Sequence, residues 1–414
     1  MKTALLTVYL LIHASEFVLA WINLNFLKRH GADVPPGFEG CLTPETLQKS
    51  TEYTIANNRL SLAESLLESF LVILFLFCGL IEPYDRWVTS LSLSFILQGS
   101  LFFILLHLAQ AILEIPFSLY RNFILENRYG FNTMTPTTWL SDFVKSTLLS
   151  LLLISLLVAG AFALILASPH GWWLWVWAFL TVVSLSLIYL SPWIIEPLFS
   201  KFEPLHSEEL KDAIQSLMGK AGLEVRRVLQ VDASRRSKHS NAYFSGVGRV
   251  KRIVLYDTLL ERLDTPEILA VLAHEAGHWK SHHLLKRLIA TEALTLLSCY
   301  AAFYLLSQGS LPALFGMESA SLPAQLVLLG LLFSIPLTVF SPLGNWLSRS
   351  QERQADRFAA ELTTTPESLA SALVKMSNDN LSNLHPHPLY AAIYYSHPPV
   401  VERVLTLTAM RTTT

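Results

Sequence analysis

Charged side chains are scarce in this chain. Asp, Glu, Lys and Arg make up 15% of its 414 residues, 52% are hydrophobic, and the mean hydropathy is +0.42. An ordinary soluble domain carries about 25% charged residues, so that class is excluded and much of the surface must face lipid. An excess of one charge sign is also missing: a formal net charge of -2 gives no basic surplus for a nucleic acid or other polyanion. Cysteine is sparse. Cys41 lies in a polar loop while Cys78 and Cys299 fall inside apolar runs, which excludes a disulfide framework. No phosphate-cradling motif occurs, because Gly246-Val247-Gly248 lacks a third glycine and reads as a hairpin turn. Internal repeats with broken helices, the mark of many transporters, are not apparent.

What is abundant is apolar sequence in long runs. Seven stretches, near 3–26, 62–82, 88–113, 144–167, 171–194, 284–307 and 322–345, reach the roughly 20 residues needed to cross a bilayer. The first is too long for a signal peptide and carries His13 and Glu16, so it is expected to be retained. With the N-terminus outside, Lys28, Arg29, Lys49 and Arg59 fall in a cytoplasmic loop, Arg121 and Arg128 in the next, and segment 196–283 and the C-terminal tail also lie inside. The opposing loops hold Arg86 and little else, as the positive-inside rule requires. Glu16, Glu64, Glu68, Gln98, His107, Gln110, Glu114 and Glu292 fall within or at the ends of these runs. Such groups are expected to face a water-filled space or to hydrogen-bond between helices.

Against this background stands His274-Glu275-Ala276-Gly277-His278. On a helix the two imidazoles, one turn apart, share a face and can hold one zinc ion, with Glu275 placed as general base for peptide hydrolysis. Thr265 as N-cap, Pro266 at the first helical position and Glu267 in the first turn predict a helix running into the motif, with Ile268, Val271 and Leu272 on its buried face. A catalytic zinc needs a third protein ligand. Glu352 is the best candidate, with Asp356 one turn later to accept the outer N–H of a ligand histidine. Arg349, Arg353 and Arg357 repeat at the same spacing, so without the upstream motif this segment would read as an exposed, salt-bridged helix.

Short β-branched or aromatic runs at 227–231, 241–245 and 250–256 predict a small antiparallel sheet, whose edge is suited to holding an extended peptide. Asn241 taken alone reads equally as the residue that starts a strand after a turn. His282-His283 and His385-Pro386-His387-Pro388 read as exposed polar residues and are not assigned to the metal.

The zinc helix, the run from Glu352 to Asp356 with Arg357-Phe358-Ala359, Ser240 to Gly246, Arg252 to Leu260, Tyr395-Ser396-His397-Pro398-Pro399 with Glu402-Arg403, Tyr129-Gly130-Phe131-Asn132 and Glu196 to Phe202 together resemble the integral-membrane type I CAAX prenyl proteases. The resemblance covers roughly 120–405. It implies a zinc metalloendopeptidase that cleaves after a prenylated cysteine, spans enclosing a chamber, Asn241 and Ala242 on a substrate-binding strand, and His397 and Arg403 pointing at the active site as oxyanion donors. Some relatives look more like general quality-control proteases without a prenyl requirement. A short loop before the seventh span and a brief tail ending at Thr414, with no retrieval signal, favour a bacterial inner membrane over the endoplasmic reticulum.

The expectation is therefore a predominantly α-helical multi-pass membrane protein, about seven transmembrane helices with a cytoplasmic zincin-like region containing a small antiparallel β-sheet. Its parts are 1–195 (five spans), 196–283 (soluble catalytic segment with hairpin and zinc helix), 284–345 (two spans) and 346–414 (catalytic segment with the third ligand). His274, His278 and Glu352 would hold one Zn2+ per chain, with Asp356 behind them; Glu275, His397 and Arg403 would be catalytic, and Asn241, Ala242, His397 and Arg403 would bind substrate. Partners are a peptide or protein, prenylated or not, and the bilayer; a monomer is expected. A non-catalytic zinc-binding receptor or transporter is the remote alternative.

Overall fold

Seven helices are long and apolar enough to cross a membrane: Lys2–His30, Pro44–Phe77, Phe95–Tyr129, Pro136–Ala167, Trp172–Phe199, His283–Ser307 and Leu322–Thr363. They belong to a computed structural model that describes residues 1–245 and 251–411. The expected hairpin turn at Gly246-Val247-Gly248 lies outside the described residues, as does the end of the tail.

The spans depart from the sequence reading where local chemistry ends them. The second stops at Phe77 instead of running to 82, because the chain turns at Gly79 with a φ of 86°, open to glycine at little steric cost. The residues expected to begin the third span instead close a separate amphipathic helix, Ile81–Ser90. Its Asp85 is buried and accepts from the backbone N–H of Ser321, 2.8 Å away, at the head of the seventh span.

Consecutive spans pack side by side in chain order, and helix Pro388–Tyr394 bridges the seventh to the first. Only 6% to 17% of each span's most apolar 18-residue window is buried. Most side chains in those windows are therefore not packed inside the protein. The spans do share a buried cluster including Phe77, Ile81, Phe102, Phe315 and Leu328. Polar residues in the spans find partners: Glu64 pairs with Arg121 at 2.6 Å, Glu292 accepts from Thr181 at 2.6 Å, and Glu114 from Gln110 at 2.8 Å. Glu16 contacts His13 and lines a cleft with Asn58, Ser61, Tyr390 and Tyr394.

The catalytic end has its own core, including Ile214, Met218, Ile253, Leu255, Leu272, Leu369 and Val404. Its sheet runs β1 (Phe202–Pro204), β2 (Val225–Val231), β4 (Lys251–Tyr256), β3 (Ala242–Ser245). This corrects the antiparallel expectation. β3 and β4 are antiparallel, but β2 lies parallel to β4, making the sheet mixed. The chain leaves β2 through the turn Ala233–Arg235 and a loop before β3, a connection long enough to reverse direction twice. Since β1 pairs only with β2, and β3 only with β4, β3 is an edge of the described sheet, and it packs on the helix that carries the two histidines.

That helix spans Thr265–Lys280, and its N-cap is Asp264, one residue earlier than expected. Asp264 accepts from the Glu267 N–H at 3.1 Å while Glu267 accepts from the Asp264 N–H at 3.0 Å. Thr265 as cap would move Glu267 out of register for this reciprocal pair. Lys375, at 2.6 Å, and Ser371 hold the buried Glu267 from helix Pro366–Asp379, which packs alongside.

The histidine helix crosses the C-terminal extension of the seventh span at Gly277, where a Cβ would lie 2.9 Å from Ala355 Cα and 3.2 Å from Phe358 Cβ. Gly277→Val should therefore force the helices apart, destabilising the catalytic end by roughly 1 to 3 kcal/mol and reducing metal content. Thermal unfolding with elemental analysis checks both; an unchanged melting curve with full metal would show that the crossing has slack.

Candidate metal centre

The helix crossing brings Glu352 from a distant part of the sequence against two histidines of one helix. His274 Nε2 lies 3.3 Å from His278 Nε2 and 3.3 Å from Glu352 Oε2, and His278 Nε2 lies 3.3 Å from Glu352 Oε1. Donor atoms from all three fall within 4.8 Å of one another. Glu352 is 3% exposed, and its Oε2 has no hydrogen-bond partner. A buried, unsatisfied carboxylate oxygen facing two imidazole nitrogens is expensive unless a cation completes it, so the donor set fits a metal ion with nitrogen and oxygen ligands.

The outer nitrogens of both imidazoles are occupied. His274 Nδ1 lies 2.8 Å from Asp356 Oδ1. An ionised carboxylate only accepts, so Nδ1 keeps its proton, and the proton that His274 must lose to offer a lone pair is the one on Nε2, the atom facing Glu352. Asp356 is held in turn by Arg403, whose Nε and Nη2 donate to Oδ2 and Oδ1 at 2.9 and 2.6 Å. The structure thus places Arg403 behind His274, with two donors spent on Asp356.

On the other side, His278 Nδ1 meets His283 Nδ1 at 3.0 Å, and His283 Nε2 meets Gln354 Oε1 at 3.3 Å. One proton arrangement satisfies the chain: His278 donates to His283, which donates to Gln354, leaving His278 Nε2 as an acceptor. His283, read from sequence as an exposed residue, is in fact 2% exposed. His282 takes a left-handed φ of 56° and breaks the helix, which turns the next side chain back toward His278. The one signal available in sequence was the five-residue interval from His278, which has no meaning without that break.

His397 arrives on the loop after helix Pro388–Tyr394. Its Nε2 is 3.4 Å from Glu352 Oε1 and its side chain is exposed. Arg349 positions this loop by donating to the carbonyls of Ala391, Ala392 and Tyr395. It is buried, unlike the exposed, salt-bridged residue that the charge spacing suggested, while Arg353 does make such a pair, with Glu402 at 3.0 Å. His387 caps the helix through Leu389 N–H at 3.2 Å and lies outside the cluster. Asn241 accepts from Ala242 N–H on its own side chain at 2.8 Å and from Tyr256 N–H on its carbonyl at 3.1 Å; the two residues open the edge strand, on which Ala242 is buried.

Burial raises the Glu275 carboxyl above the ordinary carboxylate range, against the pull of His274 and His278. Burial lowers His274, but the Asp356 and Glu352 carboxylates beside it outweigh burial and lift the imidazole to about 9 in the metal-free site.

Residues 23–201 match a family model described as CAAX prenyl protease N-terminal, five membrane helices, and residues 204–411 match Peptidase family M48. The CAAX prenyl protease 1 homolog of Arabidopsis thaliana is 39% identical over 299 residues, 71% of this chain and 69% of that protein. That of Dictyostelium discoideum is 36% identical over 406 residues, covering 95% and 94%. CAAX prenyl protease 1 of Saccharomyces cerevisiae is 30% identical over 411 residues, covering 92% and 90%. The crystal structure of S. mikatae Ste24p superposes with a TM-score of 0.90 at 29% identity over 98% of both chains. These relatives are eukaryotic and give no support to a bacterial membrane. The fold is that of a multi-pass integral membrane metalloendopeptidase.

Glu275 is not one of the three side chains whose donor atoms close on one another. Glu275→Gln should keep its metal and lose nearly all turnover, whereas Glu352→Ala should lose both; normal metal content in the second variant would remove Glu352 from the ligand set. Metal uptake should also release protons. Below about pH 9 His274 is protonated in the metal-free site and must shed that proton, so release should be present at pH 7 and fade as pH rises past 9. Calorimetric titration of the metal-free protein in buffers of different ionisation enthalpy measures this.

Proposed function

The chain belongs to peptidase family M48, carrying the five-helix N-terminal region of the CAAX prenyl proteases, and from that premise we propose how its residues cleave a membrane-delivered peptide. The observation that carries the reading is the Glu352 carboxylate, buried and incompletely bonded, facing His274 and His278. These three would hold one zinc ion, which when bound supplies Lewis acidity to activate water and polarise the scissile carbonyl.

Glu275 takes the proton from the attacking water and returns it to the leaving amine. Asp356 and Arg403 fix His274, and His283 with Gln354 fixes His278, so both imidazoles keep their Nε2 atoms inward. His397, exposed beside Glu352, is the better placed of the two expected donors to the developing oxyanion, since Arg403 is engaged with Asp356. The edge strand from Asn241 and Ala242 aligns an extended peptide by main-chain hydrogen bonds. Segments 196–283 and 346–414 together form this machinery on the cytoplasmic side, and segments 1–195 and 284–345 hold it at the membrane.

The substrates are proteins with a prenylated C-terminal C-a-a-X sequence, as the names of the relatives state for those enzymes. Burial of the lipid chain adds roughly 0.8 kcal/mol per CH2, remote binding energy that improves capture and positioning. A farnesylated C-a-a-X peptide should accordingly be cut with higher kcat/KM than the same peptide unmodified, both by wild type and neither by Glu275→Gln. Equal efficiencies would favour a general quality-control protease; cleavage surviving in the variant would point to a contaminant.

A further inference from the structure

At the foot of the fifth span a cavity of about 450 Å³ opens, and none of the metal-centre residues lines it. Pro192, Trp193 and Pro197 at the span's end form one wall; strands β1, β2 and β4 and helix Glu208–Lys220 form the others. Four cations line it, Lys211, Arg226, Arg227 and Arg252, and no acidic residue does.

Acids stand behind three of these cations. Glu196 pairs with Arg252, Glu208 with Lys211 at 2.9 Å, and Glu224 lies 4.0 Å from Arg226. Arg227 has no ion pair among the described residues; its guanidinium lies over the Trp193 ring, 5.5 Å from the centroid, with that of Arg252 at 5.6 Å from the same ring. Arg252 supplies a second, independent sign. It is 5% exposed, and its Nε is buried with no hydrogen-bond partner. Glu196 meets the charge of the guanidinium but leaves this N–H without an acceptor, a cost that an anionic oxygen entering the cavity would relieve.

Position decides what that acceptor is. Trp193, Ile194 and Leu198 are 45%, 55% and 44% exposed at the end of a membrane helix, where tryptophan marks the headgroup level. The anions present at that depth are lipid phosphates, and basic pockets at span ends recognise them. The geometry points to a binding site for the phosphate headgroup of an anionic phospholipid, held by Lys211, Arg226, Arg227 and Arg252, with Trp193 at the boundary to its acyl chains. Since Arg252 is on β4, opposite Ser245 of the edge strand, such a lipid ties the sheet that carries the edge strand to the bilayer surface.

The test uses the full-length protein, delipidated in a non-ionic detergent and titrated with phosphatidylglycerol, phosphatidylcholine or inorganic phosphate, with bound ligand counted by native mass spectrometry. Phosphatidylglycerol should bind at least about tenfold more tightly than phosphatidylcholine, and Arg227→Gln and Lys211→Gln should each weaken it about fivefold. Arg86→Gln, on the short helix at the opposite end of the spans, should change nothing. Arg252→Gln should weaken binding further; because it also breaks the pair with Glu196, the Arg227 and Lys211 variants are the decisive ones. Equal affinity for the two lipids overturns the proposal, as does an equal loss in Arg86→Gln or no loss in Arg227→Gln and Lys211→Gln. Displacement of the lipid by an equimolar amount of inorganic phosphate would assign the cavity to free phosphate and overturn the lipid assignment.

Discussion

Everything at the catalytic end is organised around one buried carboxylate. Glu352 sits almost without solvent, facing His274 and His278, with an oxygen that no protein donor satisfies. Such a group is tolerated only where a cation and rigid partners surround it. The scaffold supplies the rigidity: a capped helix bearing both imidazoles, crossed at Gly277 by the helix bearing Glu352 and Asp356. A glycine at the crossing lets the two backbones approach closely enough for the Glu352 carboxylate to meet imidazoles one turn apart.

Behind the imidazoles two different relays do the same work. On His274 it is a carboxylate clamped by an arginine; on His278 it is a neutral histidine handing its other proton to an amide. The first sets behind His274 a carboxylate whose charge is shared with Arg403. The second adds direction with no charge, so the site is not loaded with a further anion beside Glu352 and Glu275. The membrane contributes by tethering. The histidine helix leads at His282 into the sixth span, and the Glu352 helix is the continuous extension of the seventh, so packing between the spans fixes the separation of Glu352 from the two histidines.

Much of this is legible in the sequence. The spacing of His274, Glu275 and His278, the Pro266 and Glu267 start signals and seven apolar runs of spanning length are local properties, carried by periodicity and residue type alone. The segment around Glu352 reads as a helix for the same reason. Its pairing with the histidines is an inference from chemistry, since a site of this kind needs a third ligand and Glu352 with Asp356 one turn later offers a ligand and an acceptor on one helix face. The family-like segments supplied the rest as expectation, and the matches over 23–201 and 204–411 place the chain in that family.

Relations that cross the chain are of another kind. The parallel pairing of β2 with β4 depends on how the loop between β2 and β3 turns, not on the strands' own alternation. His283 was unreadable because its role rests on the left-handed φ of His282, and Arg349 because its carbonyl partners lie more than forty residues downstream. Arg403 shows the limit most clearly. Its charge and position after His397 are plain in the sequence, but whether it faces substrate or grips Asp356 depends on how the last helix packs. Residue type and spacing thus set which chemistry is available and which segments carry it. Packing chose which donor meets which acceptor, because hydrogen bonds act over about 3 Å and local periodicity carries no information at that range between distant segments.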